Sequence, residues 1–296
     1  MYGNLVAESD SNPVIALPAG TPNDAKLSRR LTSSFSGQSF LFDAHAQGNL
    51  PSIDLANSCD GDYFPGTRLR DCSSLASDIK ACQLAGKTVT ISLGGESGHI
   101  RFQDDSQAAA YAETIWNLFL GGKSKTRPFG SAILDGIDMD IENGQEEVKF
   151  VSLPLYYITA APQCPYPDAY IGKTLNAVKF DAVYVQFYNN DCGLQHYKNP
   201  AWNFATWDNW AKKVSPNRDV KVYIGAPAAS YAGSGYVDSK TITSIIQETR
   251  SRYSSFGGVM LWDVSAAYAN DRYDKAVKQA LNGDTLEVAI QAQKPF

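Results

Sequence analysis

Residues 135–142 read DGIDMDIE, with four carboxylates in eight positions. Asp138, Asp140 and Glu142 alternate with Ile137, Met139 and Ile141. Side chains alternate across a strand with a period of two, so the three acids share one face and three apolar side chains the other. In a chain that alternates strands and helices, the apolar face packs under helices and the acids point inward. Crowding and desolvation there disfavour the charged forms and lift some carboxyl pKa values above their ordinary range. That arrangement costs stability. It makes sense where one carboxyl must hold a proton to donate near neutral pH. Asn143 and Gly144 end the strand, which leaves Glu142 at its C-terminal rim.

Two blander readings compete. An exposed edge strand with a solvated acidic face would not carry so apolar a second face, nor sit so centrally among the strands. A calcium loop of the EF-hand type needs glycine at its sixth position, which counted from Asp138 is Asn143. The three histidines, His45, His99 and His196, are scattered, so no metal site is expected.

Outward from this stretch, β-branched and aromatic runs predict strands over 38–42, 87–93, 132–142, 155–161, 181–188, 220–225 and 257–263. A short run at 14–17 is a doubtful eighth. Between them lie helical patterns. Ala108, Tyr111, Ile115, Leu118 and Phe119 recur at helical spacing behind polar Asp104, Asp105 and Ser106, which predicts a helix over 105–120. Stretches 75–84, 243–253 and 273–281 read the same way. Alternating units of this number predict an α/β fold, a TIM (β/α)₈ barrel, whose active sites lie at the C-terminal ends of the strands. The rival is a doubly wound open sheet. LGGESG at 93–98 does not match its glycine-rich phosphate turn, GGKS at 121–124 follows a helix rather than a strand, and no GxSxG elbow occurs.

The chain has 296 residues, 44% hydrophobic and 19% charged, with a net charge of -5. Nothing resembles a basic footprint, so nucleic acid is set aside. No apolar run approaches the ~20 residues of a membrane helix. The first residues carry Glu8 and Asp10, and no secretory signal is visible in them. None of the five cysteines forms a CxxC pair.

DGIDMDIE also resembles the DxxDxDxE signature of the family 18 glycoside hydrolases, the chitinases. SLGG at 92–95 resembles that family's third strand. LPSIDLANSC at 50–59, WNLFLGGKSKTRPFG at 116–130, YITAAPQCPYPDAY at 157–170, VQFYNN at 185–190, GAPAA at 225–229 and GGVMLWD at 257–263 are similar to plant and fungal class III members, in the same order. The resemblance implies an endochitinase acting on β-1,4 links between N-acetylglucosamine units, without a cofactor. It implies that Glu142 donates the proton, that Asp140 orients the substrate's acetamide, that Asp138 is its buried partner, and that Tyr188 bonds the acetamide carbonyl. Gln186, Asn189, Trp262, Gly94 and Gly95 fall in the substrate-binding set. The acetamide oxygen acts as nucleophile, with retention. The resemblance also implies disulfides Cys59–Cys72 and Cys164–Cys192, leaves Cys82 without its usual partner, and implies a monomer in the extracellular space acting on chitin or chito-oligosaccharides.

The sequence also departs from the family in its first segment and just after Glu142. Residues 1–37 lack the family's first strand, 38–282 carry the catalytic barrel, and 283–296 form a tail. Only NGQEEVKFVSLP, residues 143–154, follows Glu142 before the next strand, too short for a full outer helix. A barrel incomplete at its first strand and fourth helix is therefore expected. The alternative function is a catalytically impaired chitin-oligosaccharide binder or inhibitor-like relative. The missing first strand favours it; retention of Asp138, Asp140, Glu142 and Tyr188 opposes it.

Overall fold

A computed structural model describes residues 4–8, 50–53, 55, 59–95, 102, 104–142 and 156–283. Its strands are β1 (Asn4–Glu8), β2 (Thr90–Gly95), β3 (Gly136–Ile141), β4 (Tyr157–Ala160), β5 (Ala182–Gln186), β6 (Lys221–Pro227) and β7 (Phe256–Trp262). The main helices are α1 (Ala76–Leu84), α2 (Asp105–Phe119), α3 (Gly172–Leu175), α4 (Phe204–Lys213), α5 (Ser239–Arg252), α6 (Val264–Ala269) and α7 (Tyr273–Leu281). The sheet runs β1-β7-β6-β5-β4-β3-β2. From β2 to β7 every neighbouring pair is parallel and in chain order, whereas β1 pairs antiparallel with β7.

The parity of the DGIDMDIE stretch places the core. Ile137, Met139 and Ile141 are buried together with Ile79 of α1 and Ile115, Leu118 and Phe119 of α2. A separate cluster holds Ala161, Ala182, Tyr184, Tyr188, Tyr223 and Met260, with Trp262 against it. The wall of strands separates the two, which is the layering of a barrel: one apolar layer beneath the helices and another enclosed by the strands.

Local chemistry fixes the element ends. Asp104 accepts the Gln107 amide at 2.9 Å and Asp238 accepts that of Thr241 at 2.7 Å, so α2 and α5 each start on an aspartate cap. Asp135, the one acid of the opening stretch off the shared face, accepts the Val89 amide at 2.7 Å where β2 and β3 begin. It closes the backbone at the opposite end from the chemistry.

The predicted strands from 87 onward are present, with bounds shifted by up to a few residues, and helix 273–281 matches α7 residue for residue. Three differences stand out. The strand beside β7 is Asn4–Glu8, inside the segment expected to lack the family's first strand and offering only the run at 14–17, and it runs antiparallel. Helix α4 was not expected, although Phe204, Trp207 and Trp210 recur every three residues and are all buried. Helix α6 was not expected either; Asp263 caps it by accepting the Ala266 amide at 2.9 Å. The run at 14–17, the strand at 38–42, the segment 143–154 and the tail after 283 lie outside the described residues. Among those described, no helix is long and apolar enough to cross a membrane.

Candidate active site

The acids climb the inner wall in steps. Asp138 pairs in register with Ser92 of β2 and Thr159 of β4. Both hydroxyls donate to it, Ser92 Oγ to Oδ2 at 2.7 Å and Thr159 Oγ1 to Oδ1 at 2.6 Å. Burial pushes the Asp138 carboxyl up, and these two hydrogen bonds oppose the shift.

Asp140 lies one step higher and is 4% exposed. Its carboxyl is held well above the ordinary range. Burial is the largest cause, followed by the Glu142 and Asp138 charges, a hydrogen bond with Glu142 and the Asp168 charge. Glu142 tops the ladder and is partly open to solvent.

Gln186, at the end of β5, ties the upper two acids together. Its Nε2 donates towards Asp140 Oδ1 at 3.1 Å, Glu142 Oε1 at 3.1 Å and the Ala161 carbonyl at 3.0 Å. An amide group has two hydrogens for these three acceptors. A carboxyl at Asp140 raised well above its ordinary range, in a hydrogen bond with Glu142, is able to supply the third.

Tyr188 follows two residues later on the same face. Burial, then the Asp140, Glu142 and Asp138 charges, push its phenol well above the ordinary value. It therefore stays neutral and able to donate. Trp262, half-buried at the end of β7, packs against the inner cluster that contains Tyr188. Together these groups make a rim carrying a partly exposed carboxyl, a neutral phenol and a flat aromatic surface, above two buried carboxyls. Among the described residues no cluster of His, Cys, Asp and Glu could hold a metal.

Gly94 has φ +108, and a Cβ there would stand 2.3 Å from the Asp140 carbonyl oxygen. Its place is a close approach of backbone to β3. Substituting alanine should cost on the order of 1–3 kcal/mol, by positive-φ strain and displacement of β3, read as a fall in the denaturation midpoint.

The two implied disulfides are present, with Cα–Cα distances of 5.5 Å for Cys59–Cys72 and 5.9 Å for Cys164–Cys192. Cys82 is free. Cys164–Cys192 joins the loops after β4 and β5, which flank Tyr188. Asp168 braces the first of these by accepting amides of Gln163, Tyr170 and Ile171 at 2.7–2.8 Å. Replacing both Cys164 and Cys192 by alanine should lower stability by about 3 kcal/mol, since the bridge closes a loop of 28 residues. Chemical denaturation of the two proteins measures it.

Asn189 sits beside these groups, but its side-chain oxygen is engaged by Ser234. Ser92, Thr159, Asp168 and Ser234 were not singled out from the sequence. Ser92 and Thr159 share the parity of Asp138 on neighbouring strands, a signal that exists only once the register is known. Asp168 and Ser234 lie in loops, where no periodicity points to them.

The chain resembles known proteins over most of its length. The description "Glycosyl hydrolases family 18" matches residues 47–252. Chitinase 2 of Rhizopus oligosporus is 48% identical over 236 residues, covering 77% of this chain and 43% of that protein. The class III chitinase of Arthroderma benhamiae is 42% identical over 275 residues, covering 84% of this chain and 82% of that protein. Among solved structures, ICChI chitinase from Ipomoea carnea has a TM-score of 0.69 at 27% identity, covering 93% of this chain and 98% of the other. The chain belongs to family 18 of the glycosyl hydrolases, and its fold is the TIM barrel. It spans about half the length of several curated relatives it matches.

Proposed function

We propose that this chain is an endochitinase that hydrolyses β-1,4 links between N-acetylglucosamine units with retention of configuration. The observation that carries the reading is the ladder Asp138–Asp140–Glu142, bridged by Gln186 and facing the neutral phenol of Tyr188.

The steps follow from where the protons sit. Glu142, at the open end, draws over the proton held between it and Asp140 and gives it to the glycosidic oxygen as the bond to C1 breaks, which leaves Asp140 a carboxylate. The acetamide carbonyl oxygen of the same sugar attacks C1 and forms an oxazolinium ion. Asp140 accepts the acetamide N–H and offsets the positive charge. Tyr188 donates to the acetamide carbonyl and aims its oxygen at C1. Asp138, held by Ser92 and Thr159, takes up part of the charge change below. Glu142, now a carboxylate, removes a proton from the water that attacks C1 on the side the leaving group vacated, as the C1–O bond of the oxazolinium ion breaks and the acetamide is restored. Trp262 offers its face to the apolar side of the sugar ring. The backbone at Gly94 and Gly95 leaves room beside it. The two disulfides fit an extracellular enzyme, and we take it to act as a monomer.

The acetamide dependence is the sharpest test. Chito-oligosaccharides should be cleaved, and fully deacetylated oligomers of the same length should not. Comparable cleavage of both would refute participation by the acetamide. Binding of the acetylated oligomer without cleavage would point to a saccharide-binding protein instead.

A further inference from the structure

Tyr188 is flanked by backbone contacts to β6 and to the loop that follows it. At the end of β5, the Phe187 amide donates to the Gly225 carbonyl of β6 at 3.1 Å. Two residues further on, β6 no longer supplies a partner. The loop after β6 folds back and Ser234 takes its place: the Asn189 amide donates to the Ser234 carbonyl at 2.9 Å. In return, Asn189 Oδ1 accepts the Ser234 amide at 2.8 Å and its hydroxyl at 3.2 Å. Asn189 adopts φ 57, a left-handed conformation that asparagine tolerates better than most residues. Gly235, with φ +97, brings the same loop against the backbone of Tyr188. The backbone of Tyr188 is thus clamped on both sides.

We propose that Asn189 and Ser234 form a clamp that positions Tyr188 for the reaction, with Asn189 acting through its side-chain oxygen and not as a substrate ligand. The inference rests on the endochitinase reading, in which the Tyr188 phenol aims the acetamide. The amide orientation supports it. Two donors from Ser234 converge on Oδ1, so the acceptor atom is committed to the loop.

The clamp and a substrate contact through Nδ2 make opposite predictions. Asn189→Gly keeps the left-handed backbone and removes the acceptor. Asn189→Asp keeps the acceptor and removes the amide donor. On a soluble chito-oligosaccharide, Asn189→Gly should lower kcat about tenfold with KM within twofold, and Asn189→Asp should restore most of that loss. In a Tyr188→Phe background the glycine substitution should add nothing, because coupled residues are not additive. Equal losses in the aspartate and glycine variants would overturn the clamp in favour of an Nδ2 contact. Additive losses with Tyr188→Phe would overturn its action through Tyr188.

Amide hydrogen exchange at Ser234 decides the clamp without turnover. Exchange should quicken in Asn189→Gly and stay slow in Asn189→Asp; unchanged exchange in the glycine variant overturns the proposal. If the parent protein cleaves nothing, the endochitinase reading fails while the exchange result still stands.

Discussion

Glu142→Gln should reduce kcat on chito-oligosaccharides by roughly 100- to 10,000-fold, the range for loss of a positioned general acid. The substitution keeps the volume of the side chain and an oxygen to accept the Gln186 amide, which lies 3.1 Å from Glu142 Oε1. It removes only the ability to give and retake a proton. KM should therefore change little, and the melting curve should overlay that of the parent. A variant with more than a tenth of the parent's kcat would show that the proton comes from elsewhere. Asp140 is the one candidate nearby, since it holds its proton above the usual carboxylate range.

Asp140→Asn should separate activity from stability. The amide reproduces the neutral carboxyl: its oxygen can accept from Gln186 and its nitrogen can donate to Glu142. The folded protein keeps its shape but loses the group that answers the developing charge, and kcat should fall by about 100-fold or more. Stability should move the other way. The folded-state pKa of Asp140 is raised, by burial first and by the Glu142 and Asp138 charges next. The unfolded chain releases this proton near pH ~3.9. The folded state binds the proton more tightly, so this group's contribution is fully present below that pH and is lost as pH rises through the folded value. Asparagine has no proton to lose. The variant should thus gain about 0.5–2 kcal/mol over the parent at pH 8, with the gain shrinking towards pH 4. Denaturant titrations at both pH values measure it. A variant less stable than the parent at pH 8 would mean that the ionised carboxylate is well solvated or paired, against the buried ladder described above.

Much of this site is legible in DGIDMDIE itself. A period of two assigns Asp138, Asp140 and Glu142 to one face, and Ile137, Met139 and Ile141 lie in the outer core as that parity requires. The sign of the perturbation is legible too, because several carboxyls in a dry interior cannot all ionise. Which carboxyl keeps the proton is not. That depends on Gln186 reaching both Asp140 and Glu142 from β5, a strand more than 40 residues away in the chain. The hydroxyls under Asp138 follow from strand register, which sequence alone leaves open. Strand β1 escaped notice because NLVAE is five residues long with a polar residue at each end, and its pairing with β7 is long-range. Helix α4 could have been found: its buried tryptophans lie at helical spacing, but Trp207 and Trp210 are also residues that strands favour. Family resemblance points to Asn189, while the engagement of its oxygen depends on a loop 45 residues further on.

The central claim is a retaining hydrolysis assisted by the substrate's own acetamide. Proton NMR of the anomeric signals, recorded in the first minutes of chito-oligosaccharide cleavage, tests it most directly. The account predicts that each new reducing end appears as the β-anomer and drifts to equilibrium only later. Initial release of the α-anomer would mean direct attack by water from the opposite face, and would contradict it.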